Sequence, residues 1–168
     1  MGHKYELLVN NKTLSYQPCG STADSRDLCM REGIKLCNEK GVKLLGGAVS
    51  RHGDYFRNFT SNKIESAIQN IKSIMKLEDD QISMRLLENT RGTNKVNHLY
   101  RTIYPSYFEN TTNTLRNELK TSLRSCLTGN SPGFGEFAYT MASLPNSKGG
   151  FGISDPRVLE QYAYIDSS

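Results

Sequence analysis

Three groups of side chains in this chain have types and spacings that could do chemistry. Arg116, Lys120 and Arg124 stand four residues apart, which on a helix makes one cationic stripe about 12 Å long. Such a stripe can neutralise backbone phosphates without reading bases. It can equally be a solvated surface, and Glu118 dilutes its charge. His52 and Asp54, separated by Gly53, set an imidazole near a carboxylate. A hydrolytic triad also needs a nucleophile in reach, and only scattered serines and cysteines are available, so a turn is the simpler reading. Asp79 and Asp80 are the only adjacent aspartates. They precede an apolar-periodic run, where capping of a helix N-terminus explains them.

Metal and phosphate-loop chemistry find little support. Cys19, Cys29, Cys37 and Cys126 form no C-x-x-C pair, and His3 and His98 are isolated, so no metal site is expected. Gly133-Phe134-Gly135 and Gly149-Gly150-Phe151-Gly152 lack the G-K-[ST] helix start of a phosphate loop.

The elements that must position these residues follow from apolar periodicity. Tyr5–Val9 and Leu14–Tyr16 read as short strands around a turn at Asn10–Lys12. An amphipathic helix is expected from Asp24 to a stop at Gly41, with Leu28, Arg31 and Lys35 at helical spacing, although Gly33 inside it costs about 1 kcal/mol. Val42–Val49 reads as a strand or hairpin, apolar on both sides of Gly46-Gly47, which suits a buried position. Paired glycines in such runs require a tight turn or the close approach of another backbone.

A helical block follows. Ile64, Ala67, Ile68, Ile71, Ile74 and Met75 keep helical period from a capping-box-like start at Asn62 and Glu65. Asp79 or Asp80 caps a second helix with Ile82, Leu86 and Leu87, closed by Gly92. Val96, Leu99, Tyr100 and Ile103 mark a third helix that ends before Pro105. Phe108, Leu115, Leu119, Leu123 and Leu127 form the apolar ridge of a fourth, ended by Gly129. Phe137–Leu144 is expected to be helical, Pro145–Gly150 a turn, and Phe151–Ile153 extended. Asp155-Pro156 opens a last helix with proline at its first position. The fold class is α+β and predominantly helical: short β-hairpin elements, then a helical bundle. Three parts are expected, 1–55, 56–130 and 131–168.

Charge is unevenly placed. The net charge of +4 comes from 21 basic and 17 acidic side chains, and residues 43–124 hold 13 of the basic and 8 of the acidic ones. The middle of the chain therefore carries a positive field that favours a polyanionic partner. With no apolar leader and no bilayer-length apolar run, an intracellular location in cytoplasm or nucleus is expected, with no membrane partner.

Several short motifs share an order with a known family. These are GVKLLGGAVSRHGDYF at Gly41–Phe56, EDDQ at Glu78–Gln81, LYRTIYP at Leu99–Pro105, LRSCL at Leu123–Leu127, and the run from Gly133 through LPNSKGGFGI to Ser168. Together they resemble the C-terminal part of non-LTR retroelement-type reverse transcriptases, such as plant and protist reverse-transcriptase-like proteins. HKYEL at His3–Leu7 is similar to the tail of the palm motif that precedes this region. Ser83–Arg85 stands in place of a leucine-rich run in that family, and Tyr139 where tryptophan is common.

The resemblance implies a palm edge plus a thumb that lies along an RNA/DNA template–primer duplex for an RNA-directed DNA polymerase. Leu44, Leu45, Gly46 and Gly47 would form the primer-grip-like hairpin, and Lys4 would be the lysine that protonates the departing pyrophosphate. Arg85, Arg91, Lys95 and Arg101 would join Arg116, Lys120 and Arg124 on duplex phosphates. The family's catalytic aspartates and fingers have no counterpart in this chain. It should therefore hold no cofactor, the Mg2+ of the parent enzyme belonging to a palm and fingers portion elsewhere, and should not polymerise alone. The rival expectation is a helical protein-interaction module that binds no nucleic acid.

Overall fold

The structure, a computed structural model, describes residues 14–16, 27, 30–31, 35–37, 40–90, 94–129 and 131–165. The chain divides into two compact units, Met1–Tyr55 and Phe56–Ser168. Residues 131–165 thus fold within the same unit as the helical block before them. As expected, strands come first and helices dominate the rest.

In the first unit, β1 (Leu14–Tyr16) pairs in parallel with β2 (Lys35–Cys37), Leu14 opposite Lys35 and Tyr16 opposite Cys37. Asp27, Met30 and Arg31 are helical, but the helix expected to run on to Gly41 gives way to β2. Strand pairing with Leu14–Tyr16 overrides helical periodicity there, and Gly33 had already weakened the helix. The strand expected at Tyr5–Val9 lies outside the described residues.

β3 (Gly41–Leu44) and β4 (Gly47–Ser50) form an antiparallel hairpin, Gly41 opposite Ser50 and Leu44 opposite Gly47. Its two-residue turn, Leu45-Gly46, has positive φ at both residues, 49° and 90°, the conformation that matches the twist of the flanking strands. For the pair Gly46-Gly47 the tight turn is what is found; a close approach occurs instead at Gly41, where a Cβ would fall 2.6 Å from the Tyr55 ring and 2.8 Å from Ser50 Cβ. The expectation of a buried hairpin is corrected. Leu44, Leu45 and Val49 are exposed while Gly41 and Gly47 are buried; by the register Leu44 and Val49 share the face opposite to Gly41, and it is the Gly41 face that Tyr55 covers.

In the second unit the first helix, α1 (Gly53–Met75), begins nine residues before the expected Asn62 start. Asp54 lies in its first turn, where a carboxylate complements the helix dipole. The extension is held by packing: Phe56 stacks on Tyr107 with centroids 5.2 Å apart, and Thr60 Oγ1 donates to the Tyr107 carbonyl at 3.2 Å. Asp79 caps α2 (Asp80–Thr90), its Oδ1 accepting the backbone N–H groups of Gln81 and Ile82. α3 (Asn94–Thr102) buries Val96, Leu99 and Tyr100 as its spacing required.

A short 3-10 turn at Pro105–Tyr107 leads into α4 (Glu109–Thr128), which ends at Gly129 in the left-handed conformation. Leu115, Leu119 and Leu123 are fully buried, each contributing about 2–3 kcal/mol of apolar transfer. Tyr100, also fully buried, packs edge-on against Phe108 at 4.9 Å and shares a hydrogen bond with Thr112. Burial pushes its phenol pKa up. α5 (Glu136–Ser143) and α6 (Pro156–Ile165) complete the unit. α6 packs on α3 and α4, and α2 packs on α4.

Between α5 and α6 the segment LPNSKGGFG closes on itself. The N–H groups of Gly150, Phe151 and Gly152 donate to the carbonyls of Pro145, Ala142 and Leu144. Gly150 has no room for a side chain, since a Cβ would overlap the Leu144 carbonyl. Here the paired glycines Gly149-Gly150 do mark the close approach of another backbone.

Candidate functional site

The hairpin brings the grip-like residues together at one tip. Leu45 is 91% exposed and Leu44 59%, and the two sit beside Gly46 in a turn only two residues long. Lys43 and Arg51 are exposed on the same hairpin. Lys43 adjoins the apolar tip and Arg51 follows β4 at the other end of the hairpin; such a ribbon can approach a sugar–phosphate backbone, although nothing in the turn reads a base.

The stripe on α4 is assembled as its spacing required, but its cations are engaged. Arg116 Nη2 meets Glu136 Oε2 at 2.6 Å and Arg116 Nε meets Asp155 Oδ2 at 2.9 Å. Its guanidinium also lies 4.8 Å from the centre of the Tyr139 ring. The Arg116 side chain is 11% exposed. Lys120 Nζ reaches Glu136 Oε1 at 2.6 Å, and Arg124 Nε donates to the Ser131 carbonyl at 3.2 Å. The cations thus join α4 to the starts of α5 and α6 and to the loop between α4 and α5.

The electrostatics agree with this geometry. Hydrogen bonds from Arg116 and Lys120 hold the Glu136 carboxyl down at about 2, and the bond to Glu136 raises the Arg116 guanidinium pKa. Tyr139 is fully buried, its hydroxyl meets hydrogen-bond geometry with no partner among the described residues, and burial pushes its pKa up. Sequence spacing could not find Glu136 and Asp155 as partners of Arg116, because they stand 20 and 39 positions away. The one legible signal was that each opens a helix.

The other expected site residues are dispersed. Arg85 is exposed on α2 and paired with Glu88 at 3.1 Å, and Arg101 is exposed on α3. Lys4, Arg91 and the Lys95 side chain lie outside the described residues. Among the described cations, Lys43, Arg51, Lys72 and Lys76 are exposed and form no ion pair with a described residue.

His52 and Asp54 do not build a hydrolytic site. Ser50 Oγ donates to the Lys40 carbonyl and accepts the backbone N–H of His52, so this hydroxyl closes the hairpin rather than meeting the imidazole. The Asp79 carboxylate is occupied as a helix cap, which does not suit it to hold catalytic metal ions. No cluster of three metal-ligating side chains occurs among the described residues, and no described helix is long and apolar enough to cross a membrane.

No protein-family model, curated protein or solved structure matches the chain.

Proposed function

We propose that this chain is the palm-edge and thumb portion of a non-LTR-type reverse transcriptase, gripping a template–primer duplex for an active centre carried elsewhere. The observation that carries the reading is the hairpin tip. Leu44–Gly47 falls where the family resemblance puts a primer grip, and it forms a tight turn that presents two leucines to solvent beside Lys43. Helices make up most of the chain after the hairpin, as this reading requires.

The phosphate-binding cations are reassigned. Arg116 and Lys120 serve the fold through Glu136 and Asp155. The duplex phosphates fall instead to Lys43 and Arg51 on the hairpin and, separately, to Lys72 and Lys76 on α1. Backbone neutralisation of this kind tracks duplex shape and tolerates any sequence.

Anisotropy titrations with a labelled RNA/DNA hybrid at several salt concentrations test the proposal. A grip gives a linear fall of log affinity with log salt. Replacing Lys43 and Arg51 by glutamine lowers that slope by about 1 for each phosphate no longer neutralised. Absence of duplex affinity at low salt refutes the proposal. The rival, a protein-interaction module, has its own support. Val158, Tyr162 and Ile165 expose an apolar stripe along α6, and Phe137 is 81% exposed on α5. That module shows no duplex affinity in the same titration.

A further inference from the structure

A cavity of about 920 Å3 opens within the second unit, at the upper end of the roughly 300–1,000 Å3 range of small-molecule sites. Three helices build it with the same spacing. α2 supplies Arg85, Glu88 and Asn89, α5 and its end supply Thr140, Ser143 and Leu144, and the start of α6 supplies Asp155, Val158 and Leu159. Each set is i, i+3, i+4, one face of a single helical turn. The closed LPNSKGGFG loop fits between them through Pro145, Asn146, Ser147, Phe151 and Gly152. Gly152, at φ 67°, lies so near Asn146 that a Cβ would stand 3.1 Å from Asn146 Oδ1.

The lining narrows the ligand. Its charges are already matched: Arg85 pairs with Glu88 and Asp155 with Arg116, so an uncharged ligand displaces nothing. Thr140 and Ser143 spend their hydroxyl protons on the carbonyls of Glu136 and Tyr139, leaving acceptor capacity only. The side chains of Asn89, Asn146, Ser147 and Ser154 hydrogen-bond no described residue. Two amides on different walls each offer a donor and an acceptor, while Leu144, Pro145, Phe151, Val158 and Leu159 offer apolar surface. A polyol would leave that apolar surface unmatched, and an alkyl ligand would leave the amides unmatched. A flat heterocycle with amide-like edges satisfies both.

We infer that this cavity binds an uncharged nucleobase, from either a free nucleoside or an unpaired base of a strand. The inference is independent of the duplex-gripping reading, whose salt-slope test concerns cations outside the cavity. The test is calorimetric titration of the full chain with adenosine and with uridine, beside single-stranded oligonucleotides carrying bases or abasic sites. One-to-one saturable binding is expected, at least tenfold weaker in Asn89→Leu and in Ser147→Trp. Both positions are exposed, so circular dichroism melts of the variants should match the parent.

Nucleoside binding as tight as oligonucleotide binding identifies a free nucleoside. Tighter oligonucleotide binding that abasic strands lose identifies an unpaired base. Absence of binding up to nucleoside solubility overturns the inference. So does binding that both folded variants retain, or binding of uncharged tetrapeptides in place of nucleosides.

Discussion

Replacing Arg116 by Ala separates a structural stripe from a nucleic-acid-binding one. The Arg116 and Asp155 side chains are 11% and 15% exposed and meet at 2.9 Å, so truncation leaves a largely desolvated carboxylate without its partner. Breaking a fully buried pair costs about 3–5 kcal/mol, and the residual exposure here places the loss toward the lower end. The stacking on Tyr139 at 4.8 Å adds about 0.5–1 kcal/mol. The Glu136 bridge adds little, since that carboxylate is 63% exposed and screened by solvent. A total of about 3.5–4 kcal/mol corresponds to a fall in melting temperature of about 15 °C for a unit of this size. Thermal and urea unfolding followed by far-UV circular dichroism read it directly. Arg116→Lys should recover only part of the loss, because an ammonium cannot fork between two carboxylates and stack on a ring. If Arg116→Ala melts within about 1 °C of the parent while duplex affinity collapses, the argument is refuted and the stripe belongs to nucleic acid.

Other outcomes follow from single positions. Gly150→Ala should disrupt the closed loop, costing about 2 kcal/mol or more, because the Cβ overlaps the Leu144 carbonyl. Gly149→Ala, at φ 81° with open space around it, should cost about 1–2 kcal/mol from backbone conformation alone, and amide exchange across residues 144–152 distinguishes the two. Glu136, held at about 2 against an ordinary 4.5, contributes above its unfolded value and loses that contribution as pH falls toward 2; because the carboxylate is 63% exposed, Glu136→Gln should flatten the stability–pH curve only slightly between about 4.5 and 2 in acid-titrated melts. Leu45→Asn should stabilise the hairpin by up to about 1 kcal/mol, since asparagine tolerates the φ of 49° that leucine resists, and should weaken duplex binding if the leucine tip is the grip.

Helical periodicity was legible wherever burial is one-sided and local. Val96, Leu99 and Tyr100 on one helix, and Leu115, Leu119 and Leu123 on the next, lie at 0–1% exposure, where their spacing put them. The boundary of α1 was not legible, because what draws Gly53–Ser61 into the helix is distant. Phe56 and Thr60 are anchored by Tyr107, some fifty residues away, and no local pattern carries that information. β2 was missed for the same reason: Lys35–Cys37 keeps helical spacing with the residues before it, yet its backbone pairs with Leu14–Tyr16.

The stripe marks the limit of reading function from charge spacing. Arg116, Lys120 and Arg124 do share one helical flank, and a flank of that kind is what phosphates would require. The same flank is also what a helix offers when two neighbouring elements begin against it, each with a carboxylate in its first turn or at its cap. Glu136 and Asp155 occupy those positions, so Arg116 and Lys120 complement two helix starts rather than an external polyanion, while Arg124 donates to the Ser131 carbonyl. Spacing along one element establishes that charges converge; only the partner across the interface decides whether they converge on solvent. The hairpin tip differs in this respect. Leu44 and Leu45 are exposed, so the salt-dependent titration with an RNA/DNA hybrid decides whether a duplex meets them.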